Sequence, residues 1–222
     1  MAKAVRVRVS PSAPNNFRSR MQTVAVLDFE TTGLSPSLGD RATEIAVILQ
    51  RDGEIVDRYQ SLMNAGRPIP SHVVSLTGIT NDMIADAPAA SKVMTEAARF
   101  VGRHPVVAHN AGFDRRFWQA ELGVLDIAAN QHFACTMLTS RRIYPHAQNH
   151  KLSTLVDMLQ LPKAGRAHRA MADAEMTGHL WHRLQQDIAQ TYGMSQVDYA
   201  LIARIQATSR AKVPAFLRSL GE

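Results

Sequence analysis

The fold is decided by the stretch Val24-Ala25-Val26-Leu27-Asp28-Phe29-Glu30-Thr31-Thr32-Gly33, an apolar run that ends in two acids, two threonines and a glycine. In an extended strand alternate side chains point to the same face, so we expect Asp28 and Glu30 to lie side by side. Two carboxylates held this close repel each other and raise each other's pKa unless a cation lies between them. A hard divalent cation is the usual partner, whereas a solvated strand end is the alternative for an isolated Asp-x-Glu.

Length, charge and cysteine content limit the class of protein. The chain has 222 residues, 45% of them hydrophobic, which is enough for a substantial core in one large or two small domains. The net charge of +6 favours a polyanionic partner. We expect nucleic acid rather than a membrane, because no apolar run reaches the roughly 20 residues of a membrane helix. Cys135 is the single cysteine and no secretory signal follows Met1, so we expect a buried thiol and a cytoplasmic location.

The two ends of the chain differ from its middle. Residues 1–20 contain five basic residues and no acid, and part of this segment has linker composition, so we expect a basic flexible N-terminal arm. An edge strand at residues 5–9 is the alternative, because valines alternate with arginines there. Residues 191–222 are expected to form a C-terminal helical extension. Docking of this extension on the core is slightly favoured over binding to a partner.

Strands and helices alternate through the middle of the chain. Strands are expected at residues 45–50 and 54–62, on either side of an Asp52-Gly53 tight turn, and at residues 105–109 and 133–137. Helices are expected at residues 71–80, closed by Gly78, at 81–88, capped by Asn81 and Asp82, and at 91–100, 151–159 and 169–190. Another helix is expected to carry Phe113, Phe117 and Trp118 on one face, and a further one to end near Pro145. This alternation predicts an α/β fold whose sheet is covered on both faces.

Two further acids follow predicted strands or begin a predicted helix. Asp114 follows the strand that ends at His109, and Asp173 lies five positions after His168 near the start of the long helix. Loops at the carboxyl ends of neighbouring parallel strands gather the ligands of an open α/β sheet, so four acids and one imidazole are expected to converge. Taken singly, each has a structural alternative: Asp114 can favour its helix through the dipole, and His168 can be a surface residue.

Three segments, taken in order, resemble a known family. They are Asp28-Phe29-Glu30-Thr31-Thr32-Gly33, His109-Asn110-Ala111-Gly112-Phe113-Asp114 and His168-Arg169-Ala170-Met171-Ala172-Asp173. They resemble the three motifs of the DEDDh 3′-to-5′ exonucleases, the group that contains the proofreading ε subunit of bacterial DNA polymerase III and ribonuclease T. Leu76-Thr77-Gly78-Ile79-Thr80 is similar to the family's stretch between the first two motifs. The resemblance covers about residues 21–187, assigns residues 21–190 to an exonuclease domain and indicates the histidine branch of the group.

The resemblance implies a fold, a reaction and a set of site residues. The fold is ribonuclease H-like, with a five-stranded mixed sheet and helices on both faces. In the family two Mg²⁺ or Mn²⁺ ions are held by four acids, so Asp28, Glu30, Asp114 and Asp173 are the implied metal ligands. His168 is the implied general base for the attacking water, because an imidazole titrates near neutral pH. The implied product is a nucleoside 5′-monophosphate.

The resemblance also implies contacts to the substrate. Thr31 and Gly33 would approach the terminal sugar through backbone groups, and Leu34, His109 and Phe113 would contact the terminal nucleotide. A core position is the alternative for Phe113. A basic rim is expected to contact phosphates, and it comprises Arg115, Arg116, Arg141, Arg142, Lys163, Arg166 and Arg169.

Together these residues predict a metal-dependent 3′-to-5′ exonuclease that acts on single-stranded DNA ends. An RNA 3′-end trimming exonuclease of the same family is the closest alternative, because residue types alone do not show how a 2′-hydroxyl is treated. A proofreading subunit whose tail docks on a DNA polymerase is a further alternative. A nucleic-acid-binding protein without catalysis is disfavoured, because all five catalytic residue types are present in register.

Overall fold

A mixed sheet forms the centre of the molecule. The computed structural model describes residues 5–8, 22–165 and 168–221. Its strands are β1 (Val5–Arg8), β2 (Val24–Thr31), β3 (Ala42–Arg51), β4 (Glu54–Leu62), β5 (Val106–Ala108) and β6 (Phe133–Cys135). Their order in the sheet is β1-β4-β3-β2-β5-β6. β5 runs parallel to both β2 and β6, whereas the other pairs are antiparallel. The carboxyl ends of β2, β5 and β6 therefore meet at one edge of the sheet.

The five strands β2 to β6 are the mixed sheet that the sequence predicts, and the α/β fold class is confirmed. The backbone of Val5–Arg8 adds a sixth strand at the edge, paired with β4. At these four positions the structure follows the alternative of an edge strand. Residues 1–4 and 9–21 lie outside the described residues, so a flexible arm there stays a prediction.

Helices cover both faces of the sheet. They are α1 (Ser71–Thr77), α2 (Asn81–Ala85), α3 (Ala90–Val101), α4 (Gly112–Gly123), α5 (Thr136–Ile143), α6 (Leu152–Met158), α7 (Ala170–Tyr192), α8 (Tyr199–Ala207) and α9 (Val213–Gly221). The predicted helices are all present, with ends shifted by a few residues. The prediction that 133–137 is a strand is wrong at its end, because α5 begins at Thr136 after a cap in which the Cys135 thiol accepts from Leu138 N at 3.4 Å.

Local turn chemistry accounts for several of these boundaries. Gly78 ends α1 in the left-handed conformation, with φ of 74°, which glycine adopts at little cost. Thr80 caps α2, because its side-chain oxygen accepts from Met83 N at 3.2 Å. The side chain of Asn81, expected as a cap, instead makes two hydrogen bonds to the backbone of Ile69.

The side chains of β2 pack into two hydrophobic cores, one on each face of the sheet. Ala25, Leu27 and Phe29 pack with α3 and α4 on one face, whereas Val24 and Val26 pack with α7 on the other. Since side chains alternate along a strand, Asp28 and Glu30 continue the α7 face. The acids are therefore aimed at the helix that carries Asp173.

The C-terminal extension packs on the α7 face and shares its core. Buried residues from the extension include Val197, Ile202 and Leu217. The amide of Gln206 accepts from Cys135 N at 2.7 Å and donates to Phe133 O at 3.3 Å, which satisfies the open edge of β6. The expected docking of the extension on the core is thus observed. Within the described residues, no helix has the length and apolar character needed to cross a membrane.

Candidate active site

Three carboxylates converge where β2 ends against the start of α7. Asp28 and Glu30 project from β2, and Asp173 projects from the first turn of α7. One oxygen from each lies within 4.8 Å of the others. Glu30 is 9% exposed, and Asp28 and Asp173 are half-buried. The alternation argument and the position of Asp173 therefore bring together three of the four predicted acids.

The fourth acid, Asp114, lies in the first turn of α4 and is 2% exposed. Its Oδ1 accepts a hydrogen bond from Phe29 N at 3.2 Å, so the carboxylate is fixed to the backbone between Asp28 and Glu30. Its negative charge contributes to a raised pKa for Asp28. Asp114 thus approaches the cluster from the α4 side of β2.

Burial makes all four acids hard to ionise in the metal-free protein, and repulsion by neighbouring acids adds to this for Asp28, Glu30 and Asp173. Burial, followed by the charge of Asp114, raises the pKa of Asp28 well above its ordinary value. Burial raises the pKa of Glu30 to about 8 and that of Asp114 to about 7, and it also raises the pKa of Asp173. Among the described residues, none of the four forms an ion pair with lysine or arginine. A set of carboxylate oxygens that forms no ion pair with lysine or arginine in the described part of the chain fits a hard divalent cation such as Mg²⁺ or Mn²⁺.

His168 lies at the solvent side of this cluster. It is exposed, has a positive φ of 59°, and its backbone N–H donates to Asp173 Oδ2 at 3.1 Å. Its charge also lowers the pKa of Asp173, which opposes the rise caused by burial. The structure therefore brings the predicted imidazole next to the predicted acids. Arg166 lies outside the described residues.

A fifth buried acid was missed by sequence reasoning. Glu44 lies opposite Glu30 in the β2–β3 pair and is 1% exposed. Its carboxylate accepts from Arg169 Nη2 at 2.9 Å and Nε at 3.1 Å, and from Ala170 N at 3.2 Å. An acid directly before an apolar strand was a local signal for a buried carboxylate. Its partner could not be identified locally, because Arg169 is 125 positions away.

The turn after β2 is held by its own polar groups. The hydroxyl of Thr31 donates to Gly33 O at 2.6 Å. A Cβ at Gly33 would collide with the carboxylate of Asp40, which accepts from Ser35 N at 2.9 Å, so this position requires glycine. Leu34 is 78% exposed at the tip of the turn. The turn therefore presents an apolar side chain to solvent near the acids.

The side chains of His109 and Phe113, the other predicted substrate contacts, already contact other residues of the protein. The two ring nitrogens of His109 lie 2.8 Å from Thr136 Oγ1 and 3.0 Å from His150 O. Burial lowers the pKa of His109 to about 4, so its ring is neutral at physiological pH. Phe113 is half-buried and packs 4.9 Å from the Phe117 ring, centroid to centroid. Substrate contact by these residues stays a prediction.

Some side chains of the predicted basic rim bind other groups of the protein, whereas others form no ion pair within the described residues. Arg169 is committed to Glu44, and Lys163 pairs with Asp157 at 2.7 Å. The side chain of Arg142 donates to two backbone carbonyls. Three members are exposed and form no ion pair within the described residues: Arg115, Arg116 and Arg141.

Known sequences that are similar to this chain include an exonuclease family and DNA polymerase III PolC-type proteins. The family model described as "Exonuclease" matches residues 25–180. The DNA polymerase III PolC-type of Bacillus cereus is 35% identical over 170 residues, which cover 76% of this chain and 12% of that protein. The PolC-type polymerase of Oceanobacillus iheyensis is 37% identical over 169 residues, with the same coverage. The chain thus spans about 12% of the length of these relatives.

Solved structures show the same architecture. Exonuclease X in complex with 5′ overhanging duplex DNA superposes with a TM-score of 0.65 at 28% identity, covering 82% of this chain and 99% of that chain. The nuclease domain of 3′hExo, a DEDDh family member bound to rAMP, gives a TM-score of 0.66 at 18% identity, covering 81% and 96%. The second likeness shows the fold alone.

Proposed function

The chain belongs to the exonuclease family, in its DEDDh group of 3′-to-5′ exonucleases, and from this premise we propose that it removes nucleotides from the 3′ end of single-stranded DNA. The observation that carries the proposal is the convergence of Asp28, Glu30 and Asp173 within 4.8 Å. Asp114 lies against the same strand, and His168 lies at the open side. Each of the three family motifs thus contributes to one site.

The four acids are proposed to hold two divalent ions, either Mg²⁺ or Mn²⁺. Asp28, Glu30 and Asp173, whose oxygens converge, would hold the ions together with Asp114. When bound, such a pair activates a water and stabilises the entering and leaving oxygens at phosphorus. Because the acids are protonated more readily than usual without metal, binding of the ions must release protons.

His168 is proposed to take the proton from the attacking water. Its side chain is exposed, so the imidazole can exchange that proton with solvent. The hydrogen bond from its backbone N–H to Asp173 keeps the residue beside the acids. Hydrolysis breaks the bond from phosphorus to the 3′ oxygen and releases a nucleoside 5′-monophosphate.

The terminal nucleotide is proposed to lie between the turn after β2 and the start of α4. Leu34 supplies an exposed apolar contact and Phe113 the outer edge of an aromatic pair. Thr31, Gly33 and His109 would then flank the terminal sugar. Rim arginines would attract the strand.

DNA is favoured over RNA as the substrate because the relatives at 35 to 37% identity are DNA polymerases and Exonuclease X was solved with DNA. The same relatives favour proofreading beside a DNA polymerase as a second candidate role. A reducing compartment such as the cytoplasm is part of this proposal, and the buried free thiol of Cys135 suits it.

The decisive test uses the full chain with DNA and RNA oligomers of the same sequence, labelled at the 5′ end. Addition of Mg²⁺ or Mn²⁺ is expected to produce a ladder shortened from the 3′ end, faster for DNA, and EDTA is expected to stop it. Shortening from the unlabelled end that persists in Asp28→Asn, or no shortening of either oligomer, would overturn the proposal.

A further inference from the structure

A basic cleft lies beside the proposed site and is formed partly by the C-terminal extension. It has a volume of about 500 Å³ and is lined by Leu138, Arg141, Arg142, His150 and Arg210. Three guanidinium groups therefore face one opening, and its described lining contains no acid. Arg210 lies outside the part of the chain that matches the family.

The cleft is close to the acids because neighbouring strands place it there. Val26 pairs with Val107 and β5 ends at Ala108, so His109 follows at the carboxyl end of β5, at the edge of the sheet where Asp28 lies on β2. The ring of His109 then contacts Thr136, the first residue of α5, and the carbonyl of His150 in the cleft wall. Strand β6 lies next to β5 on the side away from β2, and it leads directly into α5, which forms one wall of the cleft.

Hydrogen bonds hold the wall of the cleft in place. The Nε of Arg142 donates to Thr208 O at 2.7 Å, and its Nη1 donates to Leu138 O at 2.7 Å. The first bond ties α5 to the extension only two residues before Arg210. Arg142 therefore fixes where Arg210 enters the cleft.

The two remaining arginines are available to a ligand. Arg141 and Arg210 are exposed and form no ion pair within the described residues. Exposed arginines are usually solvated, but two that face one cleft can bind a single anion. The guanidinium fork matches phosphate oxygens in a bidentate geometry.

We propose that this cleft binds the phosphodiester backbone of the substrate strand upstream of the terminal nucleotide, and that Arg210 of the C-terminal extension completes it. This inference rests on the proposed function, since it takes the scissile phosphate to lie at the acids. The extension thereby acts in substrate binding as well as in covering the core.

The test compares Arg210→Ala and Arg141→Ala with Arg218→Ala. Arg218 is a matched control because it is an exposed arginine of the same extension that does not line the cleft. Turnover is measured on a dinucleotide, which has only the scissile phosphate, and on an eight-nucleotide strand. Dissociation constants for the longer strand are measured by fluorescence anisotropy without metal.

Arg210→Ala is expected to raise both KM and Kd for the eight-nucleotide strand by roughly 3- to 10-fold, with kcat and the dinucleotide KM unchanged. The slope of log Kd against log salt should fall by about 0.7, the loss of one phosphate contact on a single strand. Arg141→Ala should also raise Kd for the eight-nucleotide strand, and Arg218→Ala should match the parent. An unchanged thermal midpoint in Arg210→Ala would show that the fold is intact.

Three results would overturn the inference: equal effects on both substrates, equal effects of Arg210→Ala and Arg218→Ala, or no effect of Arg210→Ala on Kd. A different outcome would assign the cleft to a free phosphate. In that case inorganic phosphate or a nucleoside monophosphate would bind only when Arg210 is present, and the longer strand would not displace it. Because binding is measured without turnover, a chain that binds through Arg210 but cuts no substrate contradicts only the proposed function.

Discussion

Glu30 and Glu44 lie directly opposite each other on β2 and β3, yet their surroundings differ completely. Glu44 receives both donors of the Arg169 fork, the Ala170 amide and the Gln60 side chain. Glu30 has no hydrogen bond or ion pair within the part of the chain that the structure describes, and burial raises its pKa to about 8. One buried acid is therefore satisfied by the protein, and the other is left for a ligand.

A second buried acid is paired with an arginine in the same way. Glu121 is buried and accepts from the Arg41 fork at 2.8 and 2.9 Å and from Ala42 N at 3.0 Å. Both paired acids thus combine one arginine fork with one backbone amide. Among the described residues the four clustered acids have no such fork, which points to a cation as their partner.

The largest expected effect comes from Asp28→Asn, at the centre of the unpaired acids. Activity should fall by at least about 100-fold, the loss found when one electrostatic contact to a transition state is removed. The thermal midpoint should stay the same or rise, because the change removes a repelling charge. Single-turnover assays and thermal unfolding measure the two effects. Turnover close to that of the parent would refute the metal assignment.

His168 links the two kinds of acid, because its backbone N–H donates to Asp173 and the next residue, Arg169, pairs with Glu44. His168→Ala should lower turnover by roughly 10²- to 10⁴-fold, the contribution of a general base. Metal-dependent binding of an oligomer should persist, since no metal ligand is lost. Turnover of parent and variant should be compared from pH 5.5 to 8. Profiles of the same shape and height would remove His168 from the proton transfer.

Glu44→Ala tests the role of a buried acid that is paired with an arginine. It leaves Arg169 partly buried without its partner and should lower the free energy of unfolding by roughly 1 to 3 kcal/mol, below the range for a fully buried pair because Arg169 is a third exposed. Turnover should also fall, since Arg169 and Ala170 anchor the segment that carries His168.

Glu121→Ala is the matched control for this variant. It breaks the equivalent fork with Arg41, which is 29% exposed and lies directly before β3 rather than beside His168 in the chain. A similar loss of stability is expected, with kcat unchanged. If both variants lowered kcat equally, the Glu44–Arg169 pair would have no special role in positioning His168.

The smallest effect concerns pH and metal removal. Burial raises the pKa of Glu30 to about 8 and that of Asp114 to about 7, whereas His109, with its pKa lowered to about 4, acts in the opposite sense only below about pH 6.5. Between about pH 6.5 and 8 the two acids therefore bind more protons in the folded chain than in the unfolded chain, and the metal-free protein should lose stability as pH rises. Thermal unfolding in EDTA should show a falling midpoint from about pH 6.5 to 8, and added Mg²⁺ should raise the midpoint more at pH 8. A midpoint that rises with pH in EDTA would contradict these assignments.

Features with a local cause were predictable from the sequence. The alternation of β2 placed Asp28 and Glu30 on one face, and the Asp52-Gly53 pair predicted the observed turn. Gly78 predicted the end of α1. These features depend on the period of a strand or on a left-handed residue, both of which are encoded within a few positions.

Features that depend on sheet order were not predictable. The bond from Phe29 N to Asp114 joins residues 85 positions apart, and the Glu44–Arg169 pair joins residues 125 apart. The approach of Arg210 to Arg141 depends on how the extension docks. Such pairings are fixed by the packing of whole elements, so no local pattern contains them.

The central claim is that the unpaired acids hold divalent cations and the paired acids do not. Calorimetric titration of Mn²⁺ into the metal-free chain at pH 7.5 tests it most directly. Saturable binding is expected in the parent and in Glu44→Gln, with loss or severe weakening in Asp28→Asn. Equal binding by the parent and Asp28→Asn, or no binding by the parent, would contradict the account.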